Sequence, residues 1–559
     1  MNIQEKIKKW IKETLKIEND FVLAHPKDIK NGDYSFVSLE NSEEDLERLN
    51  ENKLKEIEKI EAIGKFINFY LSKQFFADSV KEILDKGEKV SKLNLFNNQK
   101  ILIEHTQPNP FKEFHIGHLM NNAIGESVAR IIKSNGADTI VVGYHGDVGL
   151  HVAKAIWGKM KKPDIVWGEA YAYGAQNYDN NKEEIVEINI KISEKSDEKI
   201  NKLYEEGRKS SLDFFESVYK RLDSDFAHHF YESEAGEVGK KIVSGDVPKI
   251  FEESEGAVIF RGENFEPKTH TRVFINSEGI PTYEAKEVGL AKLKKEKYEY
   301  DKSITVTANE QDSFFDVTEV AIGEVFPELK GKLRHLSHGM LRLPGGKMSS
   351  RTGDVITAES LIGQIKQKVL EKIKDREFSK QEKEKISEMV AIGAIKYSIL
   401  KQAIGGDIVF DFDKSISFEG DSGPYLQYAC VRANSVLEKP KAAKIISSAS
   451  LVSSYRDIAN FSSKNTASEI ILAAPATDLE KHLYKFPEVV ERAGREYAPH
   501  YIVTYLTELA SIFNGFYAKG KIIDESDPSS PYKIALTAAT AHILKSGLNL
   551  LGIKVPERM

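Results

Sequence analysis

Between residues 101 and 143 the chain reads strand, polar turn, helix, strand, and two neighbouring strands joined through a helix must run parallel. Ile101-Leu102-Ile103-Glu104 is a short apolar run, residues 116–134 repeat apolar positions at helical spacing, and Thr139-Ile140-Val141-Val142-Gly143 is rich in β-branched residues. Such a βαβ unit is the building block of a nucleotide-binding parallel sheet, whose ligands sit beyond the C-terminal ends of the strands. That rule gathers Glu104, His115, His118, Tyr144 and Asp147 around one site. In the connecting turn, His115-Ile116-Gly117-His118 sets two imidazoles on one face of a helix start, and Gly117 leaves room for a nucleotide against the backbone. Helix N–H groups, the helix dipole and the histidine donors all favour phosphate there. Pro108, Asn109 and Pro110 fix the turn and bring Asn109 and Lys112 close to the histidines.

A chain of 559 residues is too long for one hydrophobic core, and length alone suggests roughly three to four domains. Residues 1–98 read as a small α+β unit: an amphipathic Lys-rich helix, a turn through Asn31-Gly32-Asp33, a Glu/Lys helix, and the strand-like Gly64-Lys65-Phe66-Ile67-Asn68-Phe69. Residues 99–360 read as a Rossmann-type parallel-sheet domain in which 160–250, dominated by Lys/Glu helical patterns, is an insertion. The segments 273–275, 304–307 and 333–336 supply the second half of its sheet. From 361 to 559 the chain reads as an α-helical bundle, with helical spacing at 379–403, 424–438, 466–484 and 500–519, and a Ser-rich loop at 446–464. The fold class is therefore multidomain α/β.

With 41% hydrophobic and 30% charged residues, the composition is that of a soluble globular protein, and no window supports a membrane span. The start, a Lys/Glu/Ile helical pattern, lacks the features of a secretory signal, which points to the cytoplasm. The single cysteine, Cys430, excludes an internal disulfide framework and a Cys-based zinc site, and its apolar neighbours mark it as a buried packing residue. No structural metal and no tightly bound cofactor are expected. A net charge of −7 argues against a uniformly basic nucleic-acid binder but leaves room for local basic patches.

Far downstream, Pro344-Gly345-Gly346-Lys347-Met348-Ser349-Ser350-Arg351-Thr352-Gly353 combines flanking glycines with Lys347 as a point charge and with hydroxyl and backbone donors from Ser349 and Ser350. A loop of this composition suits a triphosphate, and its contacts would strengthen as pyrophosphate leaves. With the histidine turn, it points to ATP activation chemistry.

These two motifs resemble the signatures of class I aminoacyl-tRNA synthetases, and nearly the whole chain is similar to the arginine-specific family among them. The likeness rests on Asn109 and Lys112 before the histidines, Gly146-Asp147-Val148-Gly149, Pro281-Thr282-Tyr283-Glu284-Ala285-Lys286-Glu287 and Ala308-Asn309-Glu310-Gln311. It continues through Phe410-Asp411-Phe412-Asp413, residues 418–429 and the ending Leu551 to Met559. The resemblance implies ATP binding by Lys112, His115, Gly117, His118, Lys347, Met348, Ser349 and Ser350, with His115, His118 and Lys347 catalytic. A guanidinium offers five planar donors and no acceptor, so an arginine site needs fixed acceptors. By motif position these are Glu232, Tyr283, Glu287 and Gln311 for the side chain, with Glu104 and Asn109 at the ammonium and carboxylate end. Two departures stand out: Glu287 where the family usually has Asp, and Val148 and Leu150-His151 where it has Trp and Lys/Thr-Gln.

The resemblance further implies that residues 1–98 contact the tRNA elbow and that the C-terminal helices bind the anticodon. Tyr428, Arg432, Tyr501, Tyr505, Phe513 and Tyr517 are candidates for base stacking or phosphate contact, with Tyr428, Arg432 and Tyr517 foremost. The implied partners are ATP with Mg²⁺ as one substrate complex, L-arginine and tRNA(Arg), acting on a monomer whose activation step needs bound tRNA. The rival readings are a class I synthetase or nucleotidyl transferase with another acceptor, and a catalytically silent RNA-binding relative.

Overall fold

The computed structural model describes residues 3–38, 41–342, 357–442 and 477–559. Lys347, Met348, Ser349 and Ser350, and the Ser-rich stretch 446–464, lie outside the described residues. The chain opens with α1 (Ile3–Leu15), β1 (Tyr34–Val37), α2 (Ser42–Glu51), β2 (Ile57–Ile63) and β3 (Phe66–Leu71), the strands forming an antiparallel sheet in the order β1-β3-β2. The Glu/Lys pattern leading into Gly64 is thus helical only to Glu51. Ile57 and Ile60, three apart, imitate helical spacing, but an irregularity in the β2–β3 register between Ile57 and Lys59 turns both into the core. Next, α3 (Lys73–Lys86) serves two cores, giving Phe76 to the N-terminal one and Val80, Ile83 and Leu84 to the main one.

The central part runs β4 (Lys100–Glu104), α4 (Ile116–Ser134), β5 (Asp138–His145), α5 (Leu150–Lys161), α6 (Trp167–Gln176), α7 (Lys182–Glu194), α8 (Glu198–Leu222), β6 (His228–Tyr231) and α9 (Glu232–Gly245). It continues with β7 (Glu252–Ser254), β8 (Ala257–Phe260), β9 (Arg272–Ile275), α10 (Tyr283–Tyr298), β10 (Lys302–Ala308), α11 (Asp312–Val325) and β11 (Leu333–His338). Five strands form one parallel sheet in the order β11-β10-β4-β5-β6. At its centre β4 is buried on both faces, with Ile101 and Ile103 in one core and Leu102 in the other, as expected of a strand covered by helices on each side. The order of strand addition reverses between β4 and β10, so the ligand crevice opens there.

Two strand assignments differ from the sequence reading. β6 lies inside the stretch 160–250 yet pairs with β5 as the edge of the main sheet. Its four residues, His228 to Tyr231, include no β-branched residue and sit between long helical patterns that hide them. Residues 273–275 do form a strand, β9, but it belongs to a separate antiparallel sheet, β7-β8-β9, because alternation identifies a strand without naming its partner.

The remainder comprises β12 (Leu341–Arg342), α12 (Ala358–Lys372), α13 (Lys380–Leu400), β13 (Ile408–Val409), α14 (Phe412–Ser415), α15 (Gly423–Leu437), α16 (Asp478–Leu483), α17 (Phe486–Glu496), α18 (His500–Ala518) and α19 (Ser530–Leu550). The helical patterns at 379–403, 424–438 and 500–519 correspond to α13, α15 and α18; of 466–484 only the part from 477 is described, and it holds α16. Cys430 is fully buried, and burial pushes its thiol up to about 12, which suits a packing residue. Among the described residues no helix is long and apolar enough to cross a membrane.

The crossing of α9 on α10 is made of backbone. A Cβ at Gly239 would lie 1.8 Å from the carbonyl oxygen of Ala285, and one at Gly289 would lie 2.0 Å from that of Ala235. Gly239→Ala should therefore lower the unfolding free energy by about 1–3 kcal/mol, whereas Gly245→Ala, at the open end of α9, should not. Equal urea midpoints for the two variants would contradict this account.

Candidate active site

The turn from β4 into α4 is strained: Thr106, Gln107 and Phe111 all have positive φ, at 77°, 46° and 69°. For a β-branched residue such as Thr106 that conformation costs on the order of 1–3 kcal/mol, and contacts elsewhere must hold it. They do: Asn122 Nδ2 donates to Thr106 Oγ1 at 3.2 Å, His145 Nδ1 donates to the Pro108 carbonyl at 2.7 Å, and the Phe111 amide donates to Ser211 Oγ at 2.9 Å. The turn delivers His115 as the N-cap of α4. Its Nδ1 accepts from the Gly117 amide at 3.1 Å, while His118 Nδ1 accepts from the His115 amide at 3.2 Å, a reciprocal cap.

That cap fixes both tautomers. A ring nitrogen that accepts a backbone N–H carries no proton, so each neutral imidazole keeps its hydrogen on Nε2. The rings stack with centroids 3.7 Å apart and 20° between planes. Burial, and then the nearby Lys112 ammonium, hold His115 at about 4, and burial holds His118 well below the ordinary range. The pair thus presents two Nε2–H donors without positive charge. The cap also consumes amides that the sequence reading left free for phosphate. Backbone pairing joins this motif to Thr357: His115 and Thr357 form a β-bridge, and the Ala358 amide donates to the Phe114 carbonyl at 2.9 Å. The described chain therefore resumes, just after the Lys347 motif, against the first histidine.

Across the crevice lies a cluster of carboxylates. Glu104 ends β4 and is 2% exposed; it accepts from Gln107 Nε2 at 2.5 Å and pairs with Lys294. Glu232 begins α9, and its Oε2 lies 2.7 Å from Lys286 Nζ. Glu284 pairs with Arg272 at 2.9 Å. Glu287 has no ion pair or hydrogen bond among the described residues, and burial, then the charge of Glu104, push its carboxyl up to about 8 against the pull of Lys294. It therefore carries a proton at neutral pH. The Tyr144 hydroxyl is buried without a hydrogen-bond partner among the described residues, and burial and the charges of Glu232, Glu287 and Glu104 raise it far above its usual value.

The α9 end of the cluster is held by Asp147, which is fully buried. It accepts from the Ser233 amide at 3.0 Å, Ser233 Oγ at 2.8 Å, Arg208 Nε at 3.0 Å and Tyr204 OH at 3.2 Å. The N-cap residue of α9, Tyr231, offers no side-chain cap, so Asp147 caps that helix from another element. Gly146 allows the close approach, since a Cβ there would lie 2.4 Å from Asn109 Oδ1 and 2.9 Å from Glu232 Oε1.

Of the residues expected from sequence, Glu104, Asn109, Lys112, His115, Gly117, His118, Glu232 and Glu287 thus converge on the crevice. Lys112 Nζ lies 5.1 Å from the Tyr171 ring centroid, and burial lowers its pKa against the pull of Glu232. Tyr283 opens α10 and is 63% exposed, and Gln311 is exposed on the turn after β10, its side chain making no hydrogen bond among the described residues. Sequence reasoning missed Lys286 and Lys294. Lys286 sits inside the motif 281–287, whereas Lys294 stands among Lys292, Lys295 and Lys297, and only its helical spacing from Leu290 and Ala291 sets it apart.

In the helical part, Arg432 lies between two rings, 4.7 Å from the centroid of Tyr428 and 5.1 Å from that of Tyr517, and donates to Asn514 Oδ1 at 2.6 Å. Tyr505 and Phe513 are buried in the core, so they cannot stack on a base, and Tyr501 is engaged with Arg492 and Glu496. The apolar spacing that proposed Tyr505 and Phe513 was that of a packed helix face.

A family model described as tRNA synthetases class I (R), catalytic domain, matches residues 79–412, well over half the chain. The chain belongs to this family. A second model, the DALR anticodon binding domain, matches residues 426–559. Among curated relatives of this class I synthetase, the arginine–tRNA ligase of Borrelia turicatae is 29% identical, the match covering 100% of this chain and 99% of that one. That of Halothermothrix orenii is also 29% identical, over 90% of this chain and 87% of the relative. Two solved structures share the fold: arginyl-tRNA synthetase of Thermus thermophilus (TM-score 0.79, 22% identity, 100% of both chains) and that of Plasmodium falciparum (TM-score 0.77, 21% identity, 100% of this chain and 99% of that one).

Histidines held neutral in the synthetase fold make it acid-sensitive. Burial keeps His105 and His115 at about 4 and His145 and His151 at about 3, against an ordinary value of 6.5. Below 6.5 the unfolded chain takes protons that the folded one refuses, so stability is full above that pH and is lost as pH falls, by roughly 1.4 kcal/mol per histidine per pH unit. Urea midpoints should drop steadily from about pH 6.5 to about pH 5. A flat profile would mean that these rings titrate normally.

Proposed function

We infer that the protein is an arginine–tRNA ligase. A carboxylate oxygen of L-arginine attacks the α-phosphorus of ATP, pyrophosphate leaves, and a ribose hydroxyl at the 3′ end of tRNA(Arg) then attacks the carbonyl and releases AMP. The observation that carries this reading is the juxtaposition, in one crevice, of a neutral stacked histidine pair at a helix start and a buried carboxylate cluster with one unpaired member. The first suits a polyphosphate and the second a guanidinium, and the family membership supports both.

In this reading His115 and His118 donate through Nε2 to the phosphates, Gly117 leaves space for the nucleotide, and Lys112 adds charge. Lys347, Met348, Ser349 and Ser350 complete the ATP site on sequence grounds alone. Catalysis consists of positioning plus electrostatic stabilisation of the departing pyrophosphate, without a covalent enzyme intermediate. Mg²⁺ enters with ATP. Glu232, Tyr283, Glu287 and Gln311 receive the arginine side chain, and Glu104 and Asn109 its ammonium and carboxylate end. Because Lys294 already neutralises Glu104, the ammonium meets a shared charge there. The reading further assigns tRNA elbow contact to residues 1–98, chemistry to 99–360, and anticodon binding to 361–559 with Tyr428, Arg432 and Tyr517, in a cytoplasmic monomer.

Arginine-dependent ATP–pyrophosphate exchange, run with and without tRNA(Arg) and against a panel of amino acids, tests the assignment; exchange driven by another amino acid would sink it. Lys347→Ala and His118→Ala should each slow adenylate formation by roughly 100-fold or more with little change in arginine affinity, since those contacts strengthen mainly in the transition state. Unchanged turnover would remove that residue from the mechanism.

The proton on Glu287 sets a pH dependence. A guanidinium prefers the ionised carboxylate, so below the pKa of about 8 its binding must expel a proton. KM for arginine should fall as pH rises from about 6.5 to about 8, approaching tenfold per unit at the acid end, and Glu287→Gln should flatten that slope. A slope that survives the substitution would assign the proton elsewhere.

A further inference from the structure

The negative charge of Glu232 is already taken. Lys286 Nζ lies 2.7 Å from Glu232 Oε2 and 4.8 Å from the centroid of the Tyr283 ring, so one internal ammonium engages both the carboxylate and the aromatic face. The fold makes room for it. Lys286 stands one turn after Tyr283 on α10, and its stem runs over Gly236 of α9, where Cγ and Cε lie 3.7 and 3.9 Å from the position a Cβ would take. The Lys286 side chain is only 14% exposed and that of Glu232 only 10%. Next to them Glu287 has no ion pair among the described residues.

We propose that Lys286 is an internal competitor of the substrate: its ammonium occupies the guanidinium seat between Glu232 and Tyr283, and an incoming side chain must displace it. This rests on the arginine-binding reading of Glu232 and Tyr283. The cost of the exchange is common to every ligand, so the exchange sets how much direct contact a ligand needs in order to bind. A substrate with a primary ammonium, such as lysine or ornithine, gives Glu232 the charge-assisted hydrogen bond it already has, so the swap gains little. A guanidinium gives two parallel N–H groups to the carboxylate, a planar face to Tyr283, and further donors toward Glu287. Only the guanidinium makes more bonds than it breaks. An internal competitor of this kind weakens all ligands by the same factor, and a poorly matched ligand is left with too little affinity to compete.

The test uses the full chain and three variants in arginine-dependent ATP–pyrophosphate exchange with tRNA(Arg) present, with L-lysine and L-ornithine as competitive inhibitors. Lys286→Met keeps the stem and removes the charge; KM for arginine and the inhibition constants of lysine and ornithine should all fall severalfold, by about the same factor. Lys286→Arg installs a stronger occupant, so KM for arginine should rise by about tenfold. A merely structural cation would instead be rescued by arginine at that position and lost with methionine, the opposite pattern, and that result would overturn the proposal, as would unchanged constants in both variants. Glu232→Gln separates this from the underlying reading. If it leaves arginine use intact, the pocket assignment itself fails; if it abolishes arginine use while the Lys286 variants behave as wild type, only the displacement proposal fails.

Discussion

A single buried carboxylate, that of Asp147, holds the site together. It lies beyond the C-terminal end of β5, fully out of solvent, and four donors from α8 and the first turn of α9 close on it. An ionised group in that position is tolerable only because its hydrogen bonds replace the lost water, and one of its partners, Arg208, is charged. The same bonds cap α9, which begins with Glu232. The crevice carboxylate and the main sheet are therefore fixed to each other through one side chain, and Gly146 beside it keeps the space between Asn109 and Glu232 clear.

Around that anchor the charges nearly balance. Glu104, Glu232 and Glu284 have Lys294, Lys286 and Arg272, and Glu287 is left over. Four neighbouring acids without cations would repel one another and destabilise the fold, so the internal cations are a condition of assembling the cluster at all. The glycine crossing of α9 and α10 holds both helix starts in register, because two backbones in direct contact have no side-chain rotamers through which to slide.

The parts of this fold written as local periodicity were legible in the sequence. β4, α4 and β5 carry their own punctuation, and helices α13, α15 and α18 follow their apolar spacing. The misreadings have physical causes. β2 hid behind an irregular register that spaces Ile57 and Ile60 like a helix, β6 is too short to show a period, and the partner of β9 is a tertiary choice that alternation does not encode. In the site, motif positions brought Glu104, Glu232 and Glu287 together, but the cations between them went unseen, since a lysine on a helix reads as solvated until its surroundings are known. Tyr505 and Phe513 failed for the converse reason: an aromatic at helical spacing is indistinguishable from core until the packing is seen.

The reciprocal cap at the start of α4 makes the two imidazoles behave like amide side chains. Their acceptor nitrogens are spent on main-chain hydrogens, so neither ring can take up a substrate proton without breaking the first turn of its own helix. They are fixed dipoles, assembled when the helix forms and indifferent to the buffering of the surrounding solution. In such an arrangement the acid–base exchange between protein and ligand is left to the carboxylate side of the crevice, and the histidines contribute direction without contributing a titration.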